Sequence, residues 1–407
     1  MNEVGREAGP PEIRHPTYDV GERPFIVIWE VTRACDLACV HCRATATPKR
    51  NPFELSHEQG RRLIDQVAAF GPPPPLFVMT GGDPLKRPDL RELIAYAASR
   101  KLPVALSPSA TPLLLPETIA ELKSAGLVAM SLSIDGASAR VHDAFRGIDG
   151  VFDRTLEAWD AARAMGLKVQ INTTVTRLNL DDLPQIAEMV LARGALTWSV
   201  FFLVPVGRGL KLEQITAAEC EDVMHFLYDV GTVIPVKTTE GHHYKRIVLA
   251  RTILERLGVT PEQAGMVGDT YRRLRAAHRW EGRPRVRRTP MDVNAGRGFV
   301  FVSHTGSVHP SGFLPLAAGN VRINPLSEIY RESPLFQALR DPQSLGGRCA
   351  RCEFAPVCGG SRSRAYASAE DPLAEDPLCA YEPGSFPYQA ELAGMIARNR
   401  THGAARQ

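Results

Sequence analysis

At 407 residues and 44% apolar composition, the chain is long enough for two or three units of ~150 residues and a sizeable core. With 23% charged and 7% aromatic residues it is neither a low-hydrophobicity disordered chain nor a fibrous one. Forty-eight basic against forty-five acidic residues leave a formal charge of +3, too small to argue for a nucleic-acid partner.

The first 25 residues hold no apolar run resembling a signal peptide, and no later stretch reaches the ~18 apolar residues of a membrane span. A cytoplasmic location with no membrane contact is the expectation. Eight cysteines, clustered rather than scattered in a reducing compartment, point to metal or cluster ligation over disulfides.

From residue 25 to about 205, short β-branched runs alternate with segments of helical period, the pattern of a parallel β/α sheet. FIVIWEV (25–31) is the first strand. A helix follows Ser56, with Gln59 placed to complete a capping box. LFVMT (76–80) is a strand, Pro88 opens a helix, and PVALS (103–107) is the third strand. PETIAELKSAG (116–126) precedes VAMSLSI, VFDRTLEAWDAARAMG (151–166) precedes KVQINTTVT, and LPQIAEMVLARG (183–194) precedes LTWSVFFLV. Six β/α steps predict an α/β fold, a partial (βα)6 TIM-like barrel with ligands at the strand C-termini.

Residues 217–256 read as helical around a short strand at VIPVKTT. Between Tyr271 and Pro290 stand eight arginines (Arg272, Arg273, Arg275, Arg279, Arg283, Arg285, Arg287, Arg288) against one acid, Glu281, and a boundary is placed there. FVFVSHTGSVHPSGF (299–313) alternates like a hairpin turning at Thr305 and Gly306, followed by a cysteine-rich stretch over 349–379. The expected division is an arm (1–24), the barrel with following helices (25–256), a basic linker (257–297), a small auxiliary domain (298–385) and a C-terminal helix or tail (386–407).

The strongest signal is CDLACVHC, which places Cys35, Cys39 and Cys42 in a C-x3-C-x2-C spacing directly after the first strand. Three thiolates on one tight loop suit three irons of a 4Fe-4S cube and leave the fourth open. An open iron can be chelated by the amino and carboxylate groups of S-adenosylmethionine (SAM). A zinc site recruiting His41, or buried unligated thiols, are the plainer readings; zinc usually takes two ligand pairs separated by a longer loop.

On these residues the chain resembles the radical SAM superfamily, whose partial (βα)6 barrel carries such a loop after its first strand; the resemblance covers residues 25 to about 205. TGGDP (80–84) is similar to that family's GGEP motif, which implies that Gly81, Gly82 and Asp83 bind the SAM methionine amino group, with Asp83 where Glu is more usual. The resemblance further implies that Ser133 contacts the ribose, that the backbone at Val204 lies near the adenine, and that His41 borders it. Taken singly, a Gly-Gly pair is an ordinary turn and Ser133 an ordinary strand residue.

Cys349, Cys352, Cys358 and Cys379 form C-x2-C-x5-C-x20-C, and four thiolates satisfy a closed cluster or a tetrahedral zinc alike. The text around them (HTGSVHPSGF, GNVR, CGGSRSRAYA, DPLAEDPLC) resembles the SPASM, or twitch-like, extension of radical SAM enzymes, and most of all those of alternative haem and haem d1 biosynthesis. Ser311 stands where a cysteine is usual, and none occurs at 361 or 362. The resemblance therefore implies one auxiliary 4Fe-4S cluster beside the SAM-binding one, with all four irons protein-ligated. Cys220, alone on a helical stretch, reads as a small buried apolar residue.

For a substrate, Asn172, Thr174 and Arg208 are candidates to line the barrel. In KTTEGHHYKR, the catalytic candidates Glu240, His242, His243, Tyr244 and Arg246 crowd together; they could donate a proton, hold a carboxylate or ligate a metalloporphyrin, or form a solvated loop. His304 and His309 flank the hairpin turn, with a metal role as the less favoured reading. The arginine segment reads as a solvated linker, as a landing patch for an acidic electron donor such as flavodoxin or ferredoxin, or as part of an anionic substrate's site.

The resemblance implies an oxidoreductase- or lyase-type enzyme. It would cleave SAM reductively to a 5′-deoxyadenosyl radical and take hydrogen from a carboxylate-bearing substrate, with oxidation or decarboxylation of a tetrapyrrole as the haem-pathway likeness suggests. A maturase of a ribosomally made peptide is the alternative, although the 24 residues before the first strand are too few for a peptide-binding domain. A non-catalytic iron–sulfur or zinc scaffold is the rival of another class, but it gives no reason for an incomplete thiol triad beside GGDP.

Overall fold

The structure, a computed structural model, describes residues 12–277 and 287–404. In the first part, strands β1 (Ile26–Thr32), β2 (Leu76–Gly81), β3 (Val104–Leu106), β4 (Leu127–Ser133), β5 (Lys168–Val175) and β6 (Thr197–Phe202) alternate with helices α1 (His57–Ala68), α2 (Leu90–Ser99), α3 (Pro116–Ser124), α4 (Ala139–Arg146), α5 (Val151–Ala164) and α6 (Leu183–Ala192). There follow α7 (Ala217–Val230), β7 (Val236–Thr239), α8 (Tyr244–Leu257), α9 (Asp269–Ala276), β8 (Phe299–Val302), β9 (Ser307–His309) and β10 (Gly319–Asn320). The C-terminal part is helical: α10 (Leu326–Glu332), α11 (Pro334–Arg340), α12 (Gly347–Ala350), α13 (Arg362–Ala369) and α14 (Gln389–Ala404).

The capping box at Ser56 forms as the sequence indicates: Gln59 N donates to Ser56 Oγ (3.2 Å) and Ser56 N to Gln59 Oε1 (2.9 Å). The next helix differs from expectation. It starts at Leu90 rather than at Pro88, with Asp89 as an N-cap that bonds no helix amide. Both Asp89 oxygens are instead taken by Arg87 (2.8 and 3.0 Å), and one also by His57 (3.1 Å).

All ten strands form one sheet in the order β10-β9-β8-β1-β2-β3-β4-β5-β6-β7. The sheet extends past the six expected steps at both edges. β7 pairs parallel with β6, and the hairpin's first strand, β8, pairs parallel with β1 from Ile26 opposite Phe299 to Trp29 opposite Val302. The two-residue period explains how the barrel is lined. Along β5, Val169, Ile171, Thr173 and Val175 are buried against helices, while Gln170, Asn172 and Thr174 stay half-buried on the lumen face. Ser131 and Ser133 of β4 share that face, paired with Gln170 and Asn172.

A second apolar core joins the C-terminal segment to α8: Phe354, Val357, Phe386, Leu392 and Met395 pack with Leu249, Ile253, Leu254 and Ile13. Among the described residues, no helix is long and apolar enough to cross a membrane.

The described members of the arginine segment are solvated, with Arg272, Arg273, Arg275 and Arg288 exposed, but they lie in or beside ordered elements and make specific contacts. Arg272, Arg273 and Arg275 lie in or beside α9 and pair with Asp269 (2.5 Å), Asp181 (2.9 Å) and Asp229 (3.5 Å). Arg287 pairs with Glu255 (2.9 Å) and lies over the Tyr228 ring, and Arg288 donates to Thr197 Oγ1 (2.7 Å). Arg279, Arg283 and Arg285, with Glu281, lie outside the described residues.

Candidate functional site

The cysteine loop leaves β1 at Thr32 and is fixed from three sides. Its ends are tied by Cys35 N to Thr47 O (2.9 Å) and Thr47 N to Arg33 O (3.4 Å). Ala38 N and Val40 N donate to the carbonyls of Arg146 (3.1 Å) and Phe145 (3.0 Å), where α4 ends. From the loop after β6, Arg208 N donates to Cys42 O (3.0 Å), and its Nε and Nη1 reach Cys39 O (2.8 Å) and Ala46 O (3.4 Å). Arg208 is thus a strap on the cysteine loop rather than a substrate-lining residue. Two glycines permit this closeness: a Cβ on Gly147 would stand 2.7 Å from Ala38 O, and one on Gly207 2.5 Å from Cys42 O.

Burial pushes the Cys35 thiol up, against hydrogen bonds from Leu37 N (3.4 Å) and with Ser109 Oγ (3.6 Å), and Cys39 lies near enough to add to the rise. Arg146 Nη1 lies 3.8 Å from Cys39 Sγ while its other nitrogen holds Asp135. Next to the loop, Gly82 N donates to Thr32 O (2.9 Å) and Asp83 N to Ala34 O (2.6 Å). A Cβ at Gly81 would meet Thr32 O at 2.4 Å, and one at Gly82 would meet Ala34 O at 2.5 Å, so the pair fits backbone against backbone. Asp83 is turned inward. Its Oδ2 accepts from Thr111 Oγ1 (2.7 Å) and its Oδ1 from Leu85 N (3.2 Å), and burial raises its carboxyl.

His41 packs tilted against Phe145, ring centroids 4.5 Å apart, and has an unpartnered buried Nδ1. Burial, then the charges of Arg146 and Arg208, hold it well below its ordinary value, so its imidazole is neutral. Ser133 ends β4 on the lumen face opposite Asn172, and the Val204 carbonyl accepts from Val206 N (2.8 Å). One grouping that sequence reasoning missed lies beside Cys42. The Arg43 guanidinium sits 4.6 Å above the Phe301 ring and pairs with buried Glu30 (3.1 Å), which also meets His304 Nδ1 (2.8 Å). No local pattern announces it, because its members come from β1, the cysteine loop and β8.

Cys352, Cys358 and Cys379 lie near Arg246, and Cys349 neighbours Cys352 and Cys358, 3.9 Å from Arg362 Nη2. Burial pushes Cys352 and Cys379 up to about 11 and Cys358 higher still, and the Arg246 charge works against the rise at all three. Cys358 feels both Cys379 and Cys349, and Gly360 N donates to its sulfur (3.4 Å). Among the described residues, no three His, Cys, Asp or Glu side chains are grouped as ligands of a single metal ion.

The residues in KTTEGHHYKR form a largely buried junction, not a solvated loop, with His242 half-buried and Glu240, His243, Tyr244 and Arg246 buried. Glu240 accepts from Ser311 Oγ (2.8 Å), Ser361 Oγ (2.5 Å) and Ser363 Oγ (2.9 Å), and its carbonyl from Arg364 Nη2 (2.6 Å). His243, fully buried, lies 3.4 Å from Cys220 Sγ and 3.7 Å from Asp376. Burial pushes both His242 and His243 down. Tyr244 is buried with its hydroxyl facing Leu227 O (3.5 Å), and Arg246 pairs with Glu221 and lies over Tyr381. His309 Nδ1 meets Leu316 O (3.0 Å); with His304 held by Glu30, neither hairpin histidine is placed as a metal ligand.

Residues 29–190 match the model of the Radical SAM superfamily. The chain is 41% identical over 362 residues to AdoMet-dependent heme synthase of Nitratidesulfovibrio vulgaris, covering 88% of this chain and 92% of that one. It is 32% identical to Fe-coproporphyrin III synthase of Methanosarcina barkeri, covering 87% of each. Among solved structures it is similar to Streptococcus suis SuiB bound to precursor peptide SuiA, with a TM-score of 0.64 and 15% identity over 88% of this chain and 76% of that one.

Proposed function

The chain belongs to the radical SAM superfamily, and on that premise we propose that it acts on an iron porphyrin, converting propionate side chains to vinyl groups by oxidative decarboxylation. It is a radical SAM enzyme, and a 4Fe-4S cluster with SAM is the family's equipment. The observation that carries the substrate reading is the 41% identity to a heme synthase along 88% of the chain.

Cys35, Cys39 and Cys42 fit the first cluster. They are three thiols on a loop held by two arginines and packed backbone against backbone on a glycine pair. Once bound and reduced, that cluster supplies the electron that splits SAM into methionine and a 5′-deoxyadenosyl radical. Gly81 and Gly82 would lie by the methionine end, where their lack of side chains lets the second strand meet the cysteine loop, and neutral His41 with its unpartnered Nδ1 would border the adenine. Ser133 and Val204 stand at the strand ends where ribose and adenine would lie.

Cys349, Cys352, Cys358 and Cys379 would hold a second 4Fe-4S cluster, fully protein-ligated, with Arg246 offsetting its negative charge. For each propionate, one hydrogen atom leaves with the 5′-deoxyadenosyl group, carbon dioxide departs and a vinyl group remains. Because the carboxylate is already deprotonated, that leaves one electron and no proton, and the second cluster would be its acceptor. Flavodoxin or ferredoxin is the proposed donor to the first cluster.

The test is anaerobic turnover of the reconstituted chain with dithionite, SAM and iron coproporphyrin III. Conversion of propionates to vinyl groups, with 5′-deoxyadenosine formed in step, is expected. SAM cleavage without porphyrin turnover would leave a peptide as the alternative substrate class.

A further inference from the structure

Among the described residues, two guanidinium groups reach cysteine sulfurs. Arg146 Nη1 lies 3.8 Å from Cys39 Sγ, and Arg362 Nη2 lies 3.9 Å from Cys349 Sγ. They differ in what balances their charge. Arg146 is paired with buried Asp135, whereas among the described residues no carboxylate pairs with Arg362, which is 1% exposed.

The acids near Arg362 are already taken. Arg364 holds Asp376 (2.9 Å), Arg348 holds Glu375 (3.1 Å), and Glu221 pairs with Arg246, the other guanidinium at this cysteine set. Arg362 Nη1 donates to the carbonyls of Pro372 (3.0 Å) and Ala374 (2.8 Å), which are dipoles and not charges, and its buried Nε has no partner. Gly360 makes room for the contact. A Cβ there would stand 2.6 Å from Arg362 Nη2 and 3.6 Å from Cys349 Sγ.

A buried cation without a counter-charge is costly. The thiolates themselves can supply the relief, because four of them leave a 4Fe-4S cluster anionic, and an electron taken up adds a further negative charge. A fixed cation at a cluster sulfur therefore favours the reduced state over the oxidised one. Net charge and hydrogen bonds at the sulfurs are among the levers that set a cluster's potential. Arg246 brings Glu221 with it, so the uncompensated charge at this set is that of Arg362.

We propose that Arg362 sets the potential of the second cluster, raising it so that the cluster takes the electron left by decarboxylation. This rests on the reading of the C-terminal cysteines as holding that electron's acceptor. In that step the substrate radical's unpaired electron and the pair of the breaking carbon–carboxylate bond supply the new π bond and one surplus electron. Carbon dioxide leaves neutral, and the surplus electron reduces the cluster by one.

The experiment reads the second cluster by itself, in the full chain carrying Cys35→Ala, Cys39→Ala and Cys42→Ala, reconstituted anaerobically and poised at a series of potentials with electron paramagnetic resonance as the readout. R362Q is expected to lower the midpoint by at least a ~tenfold change in the oxidised-to-reduced ratio, ~59 mV for one electron. R362K keeps the charge while losing the planar fork, and is expected to stay within that bound of the parent. A merely structural tie to Pro372 and Ala374 would be weakened in both variants. A fall confined to R362Q, or loss of the cluster from R362Q alone, therefore supports the proposal. An unmoved midpoint in R362Q overturns it and leaves the acceptor reading standing; an equal fall in R362K, or loss of the cluster from both variants, overturns it too. A parent that holds no cluster on the C-terminal cysteines overturns the acceptor reading and the proposal together. The expected shifts in a chain that turns over no porphyrin uphold Arg362 and sink the substrate reading alone.

Discussion

Arg208 and Cys39 lie on opposite sides of the barrel mouth in sequence, yet the Arg208 guanidinium Nε donates to the Cys39 carbonyl at 2.8 Å. The same arginine also bonds Cys42 O through its backbone and Ala46 O through Nη1. A charged donor to a backbone carbonyl contributes about 1.5–3 kcal/mol. Arg208→Ala is therefore expected to unfold at lower urea and to retain less iron per chain. Arg208→Lys should restore little, because one ammonium cannot serve two separated carbonyls as a fork does. Iron analysis and urea midpoints check both.

Gly207 packs against the same loop. It has φ +56, and a Cβ there would stand 2.5 Å from both Cys42 O and Arg43 O. Gly207→Ala is expected to cost about 1–3 kcal/mol in backbone strain, and more from the clash, and to deplete the first cluster. Gly258 has φ +68 but nothing within 4 Å. Gly258→Ala should cost about 1 kcal/mol and leave iron content unchanged.

Glu240 holds three serine hydroxyls, from Ser311, Ser361 and Ser363, at the seam between barrel and cysteine segment. Glu240→Ala leaves buried hydroxyls unpaired and is expected to destabilise by about 2–4 kcal/mol. Because the seam lies beside the second cysteine set, iron should fall from about eight toward about four per chain. Electron paramagnetic resonance of the reduced chain shows which cluster is lost.

Acid lability follows from buried groups. Burial, then the neighbouring Arg251, holds His225 down at about 3, so it stays neutral when folded and takes up a proton on unfolding below ~6.5. The unfolded state then binds more protons, and stability falls as pH drops from ~6.5 toward 3, by up to ~1.4 kcal/mol per pH unit for one group. Asp376 acts lower down. Its burial would raise it, but Arg364 and His243 outweigh that and hold it at about 2, so its stabilisation is present above ~4 and lost toward pH 2. Between pH 7 and 5.5, His225→Gln is expected to lose less stability than the parent, as urea midpoints at the two pH values show.

The parts of the fold written in local pattern were legible in the sequence. The Ser56 and Gln59 capping box, the six β/α steps, and the hairpin turning at Gly306 needed only neighbours in the chain. The pairing of β8 with β1 was not, because an alternating strand carries no label for its partner. At the site, cysteine spacing and the glycine pair stood out. The straps did not, since Arg146 and Arg208 look like any other arginine until α4 and the loop after β6 are placed against the cysteines. The KTTEGHHYKR residues misled for the opposite reason. Their crowding was visible, but the serines and Asp376 that bury them lie more than 60 residues later in the chain.

The most direct measurement is electron paramagnetic resonance of the anaerobically reconstituted, dithionite-reduced chain before and after SAM, with 5′-deoxyadenosine assayed in the same sample. The expected result is a cluster signal that SAM alters, lost in a Cys35→Ala, Cys39→Ala, Cys42→Ala variant, together with 5′-deoxyadenosine formed only when all three thiols are present. A signal indifferent to SAM, or 5′-deoxyadenosine formation that survives loss of those thiols, would contradict it.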